Sequence, residues 1–551
     1  MLRPVLLTCL FILATYLYLK LRYKRFTQYA SLPQLPPTLL LGHLKTMDEY
    51  IRRGAADRHP DYIFSDMHEA LGRPPLMFVD LRPINRPMVL ITNHEIAEQV
   101  SRASELFPTS PPKSFLKYLE PLIGPTSILA SHGDEWKVLR KRFSPGFAPK
   151  HLGTLLPCIL DKTSLFISHL DHFARTEAEF PLVPLVVNLT FDIIGSVIMD
   201  VDLEAQHLDS SKQSELVRLY SELLATYNDD KADYPWWLMP RTEMKRRQLG
   251  KRIDGLIKTV IHQNLVNKSR KLAVSDTSRS ILSLSLDDTE SLSSKLIDVT
   301  CDQLKTFLLA GHDTTSVTLA WVFYELSLNS TGLAKVRAEL NSLFGTDASP
   351  EAIRARLLLP DGAALLQKMT YISAVIKETL RLHPPAATAR MSEHGTGFSI
   401  HTPEGQEYCL DGMIIYNCET ILHRDVSVYG VSANQFVPER WLNEGDGTLE
   451  ADSTTRRVPA SAWRAFERGP RNCIGQEFAT MEARVIIAYI ARRYDFTKVG
   501  LGEVVRDGDG RLMKDCEGNF QVKSPLYNTR QVTSKPVDGM RVKVRRAVYV
   551  S

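Results

Sequence analysis

Phe466-Glu467-Arg468-Gly469-Pro470-Arg471-Asn472-Cys473-Ile474-Gly475 is the stretch that decides how this chain is read. It packs a single cysteine between two glycines and close to arginine. The apolar periodicity beyond it predicts a helix over Glu477–Arg493, which sets Cys473 near a helix N-terminus. There the helix dipole and free backbone N–H groups stabilise a thiolate. Glycines let backbone approach a large flat object. A cysteine in a tight turn is by itself most often a buried structural residue. The spacing F-x-x-G-x-R-x-C-x-G is what sets this one apart.

Three other segments carry chemistry. Glu378-Thr379-Leu380-Arg381 places Glu and Arg three apart, on one face of the helix predicted over Tyr371–His383. Read alone, such a pair is a surface ion pair worth under about 1 kcal/mol. A long helix is predicted over Ile297–Asn329 and carries Ala310-Gly311-His312-Asp313-Thr314-Thr315. Gly311 inside it costs about 1 kcal/mol relative to Ala and asks for a reason. Phe307, Gly311, Thr314 and Thr318 step by helical spacing, and small residues on that face make room for a ligand. Thr314 can also bond back to the Ala310 carbonyl and distort the helix. Trp136 and Arg140, at i and i+4, face the same way on a further helix.

On these motifs the chain resembles the cytochrome P450 family, the haem-thiolate monooxygenases. The decapeptide matches that family's haem-binding signature at every defining position; Ala465, where Pro is frequent, is the small departure. The motifs come in the family's order, and the resemblance covers about residues 30–548. It implies haem b, with Cys473 as the axial iron ligand, where a thiolate favours O–O cleavage. It implies that Glu378 and Arg381 are buried and closed by Arg440, a structural lock. It makes Asp313 the acid of a proton relay and Thr314 the holder of oxygen-bound water, which is general acid work. Trp136, Arg140, Arg471 and Arg390 become contacts of the haem propionates, and Ala310, Gly311, Phe466, Gly469 and Gly475 shape the haem's surroundings.

Composition agrees with a globular chain. Gly 29 and Pro 31 of 551 residues fall well under the roughly 25–30% of low-complexity sequences. Hydrophobic residues at 44% and charged residues at 24% exclude a disordered chain, a collagen and a multi-span membrane protein. A net charge of +4 on this length argues against nucleic acid as a partner. Seven scattered cysteines without a C-x-x-C pair exclude a disulfide framework and a zinc ribbon. Val5–Leu19 is apolar but short of the roughly 20 residues that span a bilayer. Arg3 and Lys20 can snorkel, and Lys20, Arg22, Lys24 and Arg25 put the downstream chain on the cytoplasmic side. The flanks suit a signal anchor; the apolar run leads into no small-residue cleavage site.

The expected organisation is therefore a transmembrane anchor (1–25), a Pro-rich, non-helical hinge (26–42) and one large catalytic domain (43–551). The fold class is mainly α with small β-sheets. Met77–Asp80 and Pro87–Thr92 predict a hairpin, Leu189–Asp200 an apolar helix, Ser269–Ser294 a mobile loop, and 518–548 strands. His423-Arg424-Asp425 and Asp507–Arg511 imitate kinase and calcium motifs without their companions and are read as turns.

The resemblance implies insertion of one oxygen atom from O2 into an apolar organic molecule. Electrons would come from NADPH–cytochrome P450 reductase, with cytochrome b5 a second donor, since no dinucleotide fingerprint is present. Lys137, Lys141, Arg142, Arg464 and Arg468 are candidates for the docking face. The pocket would draw on 110–127, 223–237, 307–314, 386–388 and 531–534. The segments around Ala386 and Trp463 are similar to filamentous-fungal members that tailor secondary metabolites of polyketide type. The implied location is the endoplasmic reticulum membrane, single-pass, with the catalytic domain in the cytosol. An oxygen-independent isomerase or a haem-binding sensor would not need Asp313 and Thr314 intact.

Overall fold

The computed structural model describes residues 2–228, 238–271, 280–287, 293–442, 457–515 and 518–547. They group into two compact units: Met1–Pro112, Ala387–Leu422 and Glu467–Arg471 form the first, and Lys113–Ala386, His423–Phe466 and Asn472–Ser551 the second.

The first unit begins with α1 (Leu2–Phe26), which runs beyond the apolar core of the sequence to its last basic residues. Pro4–Phe26 is long and apolar enough to cross a membrane, and none of it is buried at its most apolar stretch. Strands β1 (Leu76–Val79) and β2 (Met88–Ile91) form the expected antiparallel hairpin. β3 (Thr388–Met391) and β4 (Ile414–Asn417) complete a four-stranded sheet in the order β1-β2-β4-β3. β2 pairs with β4 in parallel, Met88 opposite Ile414. Every residue of β1 and β2 is buried, which is why both runs are continuously apolar and do not alternate. One face of the hairpin packs Phe78, Val89 and Ile91 with Ile96, Val100 and Ile400; the other packs Met77, Val79 and Leu90 with Ile63, Phe64 and Met67.

The end of α1 is bolted to this hairpin. Arg25 is buried, pairs with Asp80 at 2.6 Å, and donates to the carbonyls of Leu39 (3.1 Å), Leu40 (2.7 Å) and Arg82 (2.9 Å). Arg82 pairs with Asp80 at 2.8 Å and donates back to the Lys24 carbonyl at 2.7 Å. Burial would raise the Asp80 carboxyl, but the two guanidiniums outweigh it and hold it below its usual range. The non-helical segment between Phe26 and Gly42 is thus tied to α1 at its far end.

The second unit is helical. The elements that carry the argument are α2 (Gly133–Phe143), α3 (Leu182–Met199), α4 (Glu215–Ala225), α5 (Ser294–Leu328), α6 (Thr370–Leu382) and α7 (Gln476–Ile490). Strands β5 (Tyr494–Lys498) and β8 (Arg541–Arg546) pair antiparallel, as do β6 (Asn528–Arg530) and β7 (Ser534–Pro536). α3 starts earlier than the apolar pattern suggests; it passes as a membrane span by composition, yet 78% of it is buried inside the protein, so it is a core helix. The Ser-rich segment is not all loop. Ile281–Ser285 is a short helix capped by Ser280, with Ile281 and Leu282 fully buried; residues 272–279 and 288–292 of that segment lie outside the described residues.

Glu378 and Arg381 of α6 are wholly buried and paired twice, at 2.9 and 2.8 Å. The Arg440 guanidinium donates to the same carboxylate at 3.1 Å, with the Val437 N–H and the Trp441 indole each at 2.9 Å. A lone surface pair is the wrong description: one carboxylate collects five donors. Removing it strands two guanidiniums, at a cost of about 3–5 kcal/mol for a buried pair broken on one side.

Both sets of contacts can be checked by stability measurements. Glu378→Ala should lower the denaturation midpoint sharply or prevent soluble expression; a mutant melting with the wild type would contradict the network. A chain starting at residue 24 keeps Arg25, whereas one starting at residue 31 leaves Asp80 to Arg82 alone. The shorter chain should be less stable by roughly 1–3 kcal/mol; identical melting curves for the two truncations would show that Arg25 is not a clamp.

Candidate active site

The cysteine loop closes on itself before α7 begins. The Cys473 N–H donates to the Phe466 carbonyl at 2.9 Å. Arg140, one turn beyond the buried Trp136 on α2, reaches the same loop and donates to the Asn472 carbonyl at 2.9 Å and to its side-chain oxygen at 3.0 Å. Cys473 is exposed although its surroundings are deep in the protein. Those surroundings push the thiol up; the Gly475 N–H, Arg140 and Lys113 pull it down without overcoming burial. Among the described residues no cluster of three or more His, Cys, Asp or Glu is placed to hold a metal ion. Cys473 would be the residue that holds a haem iron here, a cofactor that needs a single ligand from the protein. Ala310 is exposed on α5 directly after a buried run from Thr300 to Leu309, a second open surface of the kind a flat cofactor covers.

The glycines act differently from the expectation. Gly469 has φ +76, and a Cβ there would lie 2.2 Å from the Ser101 carbonyl oxygen, so it serves a close backbone approach within the first unit. A Cβ on Gly475 would meet the Cys473 sulfur at 3.9 Å, adding bulk beside the donor atom. Gly311 is turned to α3: its Cβ would stand 2.5 Å from Ile194. The ligand-facing role expected of Gly311 is corrected to helix packing, because helical spacing fixes an angle and not the neighbour at that angle. Phe307, expected on the same open face, is buried against the rings of Phe143 and Phe147 at 5.1 and 5.2 Å. Phe466 is half-buried beside Trp463 at 5.9 Å. Arg390, on β3, and Arg471 are both buried in the first unit.

On α5 the Thr314 hydroxyl donates to the Ala310 carbonyl at 2.7 Å, and Thr318 repeats the bond to Thr314 at 2.9 Å. Back-bonds of this kind distort a helix locally. Asp313, the next position round the helix, is wholly buried. Thr533 donates to it at 2.7 Å and the Lys535 ammonium pairs with its other oxygen. Burial would raise this carboxyl; Lys535, His312 and the Thr533 hydrogen bond bring it below its usual range. His312 is itself buried, which pushes its imidazole down to about 4 and keeps it neutral at pH 7.

The docking candidates divide. Lys137 and Lys141 are exposed, with Lys137 paired to Asp134 at 2.9 Å. Arg142 donates to the Ser285 carbonyl at 2.9 Å and holds the short helix after Ser280. Arg468 pairs with Glu98 at 2.9 Å. Arg464 is fully buried, its N–H donating to His423 at 2.9 Å, and is corrected from docking residue to interior residue. Residues 229–237 of the expected pocket lie outside the described residues. Sequence reasoning missed Glu467, which sits at φ 54 and accepts from Ser101 at 3.0 Å and Asn417 at 3.3 Å. It also missed Lys535 and the tie of Thr533 to Asp313, which leave no local pattern; Thr533 itself falls in the expected 531–534 pocket segment.

A family model described as Cytochrome P450 matches residues 33–509. The chain is 33% identical to Cytochrome P450 monooxygenase acrF of Aspergillus aculeatus, over 80% of this chain and 88% of that one. It is 25% identical to Cytochrome P450 monooxygenase polC of Polytolypa hystricis, over 89% and 86%. It is 27% identical to human Cytochrome P450 4V2, over 76% of each. The crystal structure of the cytochrome P450DA heme domain superposes with a TM-score of 0.68 at 18% identity, covering 94% of this chain and 98% of that one, which speaks to fold alone. Matched over most of its length, with a cysteine loop and buried Glu-Arg-Arg lock of the kind the motifs implied, the chain belongs to the cytochrome P450 family and is a haem-dependent monooxygenase.

Proposed function

We propose that Cys473 would hold the haem iron as its thiolate ligand and that the enzyme oxygenates an apolar organic molecule, a fungal secondary metabolite of polyketide type. The exposed Cys473, with the Gly475 N–H and Arg140 beside its sulfur, supports the first part of this reading. The second part rests on the similarity to fungal members and on the apolar character of the segments expected to line the pocket.

Haem, when bound, supplies the oxygen-activating iron. The chain's own residues do the rest. Arg140 and the Phe466 carbonyl fix the cysteine loop around the sulfur. Trp136, Arg140, Arg390 and Arg471 hold the propionates, a task that suits guanidinium geometry. Ala310 and Gly475 keep side-chain bulk away from the cofactor. The Thr314 hydroxyl donates to the Ala310 carbonyl, which leaves its oxygen lone pairs free to hold a water. Asp313 is the acid that supplies protons to that water. Electrons come from NADPH–cytochrome P450 reductase, with cytochrome b5 as a second donor, docking by Lys137 and Lys141. α1 is the single transmembrane anchor in the endoplasmic reticulum, with the catalytic part in the cytosol.

The reduced, carbon monoxide-bound spectrum tests the ligand. The wild type should show the red-shifted Soret band of a thiolate complex, and Cys473→Ala should lack it; a retained shift would remove Cys473 from the iron. Thr314→Ala should keep that spectrum but lose coupling, with product per NADPH falling by at least about tenfold and peroxide rising. Unchanged stoichiometry would show that Thr314 holds no catalytic water.

A further inference from the structure

We propose that Lys535, assisted by Thr533, is the positioning residue for Asp313, and that the β6–β7 hairpin thereby governs when this acid can pass a proton. The proposal rests on the reading of Asp313 as the relay acid.

Asp313 is fully buried on α5, and the two groups that hold its carboxylate come from one hairpin. The Thr533 hydroxyl donates to one oxygen at 2.7 Å, and the Lys535 ammonium stands on the other. Lys535 occupies the central rung of the hairpin, opposite Thr529. The hairpin is fixed at the neighbouring residue, where the Ser534 N–H donates to the Pro385 carbonyl at 2.9 Å. At pH 7 the other groups around the carboxylate carry no charge. His312, on the same helix, has Nε2 3.9 Å away and is neutral at pH 7. The phenol of Tyr220, from α4, is kept neutral by burial and donates to the Lys305 carbonyl at 3.1 Å. Among the described residues Lys535 is the only cation paired with Asp313.

A carboxylate so held cannot swing towards Thr314 while both hairpin groups stay in place. Residues 531–534 are also among those expected to line the substrate pocket. A substrate that shifts this turn would move Lys535 with it and release the acid. The ion pair is then a coupling between substrate occupancy and proton delivery, built from one helix and one hairpin.

The test uses full-length, haem-loaded enzyme with Lys535→Gln, Lys535→Met and Lys535→Arg, each with and without Asp313→Asn. Without Lys535 the buried carboxyl loses its counter-charge, and desolvation moves its titration upward. The inflection belonging to Asp313 in the pH profile of product per NADPH should rise by about one unit or more in Lys535→Gln. Lys535→Arg should restore it, and Lys535→Gln should add nothing when Asp313 is already Asn. Infrared difference spectra should show a protonated-carboxyl band in Lys535→Gln that vanishes in the double mutant. If Lys535→Gln fails to fold, Lys535→Met carries the same readouts. A lower melting temperature with an unmoved pH profile and no new carboxyl band would reduce the pair to a structural ion pair and overturn the proposal. A new band with coupling insensitive to Asp313→Asn would instead keep Lys535 as the partner of Asp313 and overturn the relay reading of that acid.

Discussion

The Glu378 carboxylate is the constraint on which the second unit depends. Buried ion pairs are poor sources of stability, because the desolvation of two charges offsets most of their attraction. What this one contributes is direction. Arg381, once neutralised by Glu378, still has donors to place, and it points them at the carbonyls of His423, Ala433 and Gln435. Arg440 does the same with Tyr429 and Ser432. The stretch from His423 to Trp441 has only short helical turns, so its backbone carbonyls could not be satisfied by regular structure. Two guanidiniums satisfy them. His423, fixed through its carbonyl, then accepts from the Arg464 N–H, two residues before Phe466. A chain of hydrogen bonds thus leads from α6 to the threshold of the cysteine loop.

α5 shows how little room the core leaves for choice. Ile194 of α3 fills the place where a side chain on Gly311 would be, and Thr190 donates to the His312 carbonyl at 2.9 Å. The two helices therefore meet close to where α5 carries its threonines. His312 is pinned between Phe191 and Tyr220, at ring distances of 4.5 and 5.8 Å, and its other nitrogen contacts the Leu308 carbonyl at 2.6 Å. With those positions fixed, Ala310 is left exposed, Asp313 is turned to the hairpin, and Thr314 lies on the other side of Ala310 from Asp313. The helix sorts adjacent residues into packing, charge-paired and exposed positions because each residue advances about 100°.

Much of this was legible in the sequence wherever a pattern is local. The β1–β2 hairpin, α5, α6 and α7 come from apolar runs and their breaks, and the Thr314 bond to Ala310 comes from i and i−4 spacing. Arg440 as the third member of the lock was legible only by resemblance, since nothing local links it to Glu378. The helix after Ser280 was masked by serines, although Ile281, Leu282, Leu284 and Leu286 crowd together there. Gly311, Arg464 and Lys535 were misread or missed for one reason. Composition says what a residue can do, and only the partner brought from a distant segment says which of those things it does.

Arg25 illustrates the same point at the N-terminal end. Counted as sequence, the apolar run falls short of a span, and the basic residues after it are interchangeable. As a helix, Pro4–Phe26 is 23 residues long. At 1.5 Å per residue that is about 35 Å, enough for the roughly 30 Å hydrocarbon core. Tyr16, Tyr18 and Tyr23 lie exposed towards its C-terminal end, where an interfacial belt would fall. Arg22 and Lys24 stay in solvent, while Arg25 turns inward to Asp80. A buried guanidinium with four oxygen partners fixes the direction of the helix at the point where it leaves the sheet. The clamp ties the end of α1 to the hairpin of the first unit at four oxygens, so the direction in which the helix leaves the sheet is set by buried contacts and not by a loose linker.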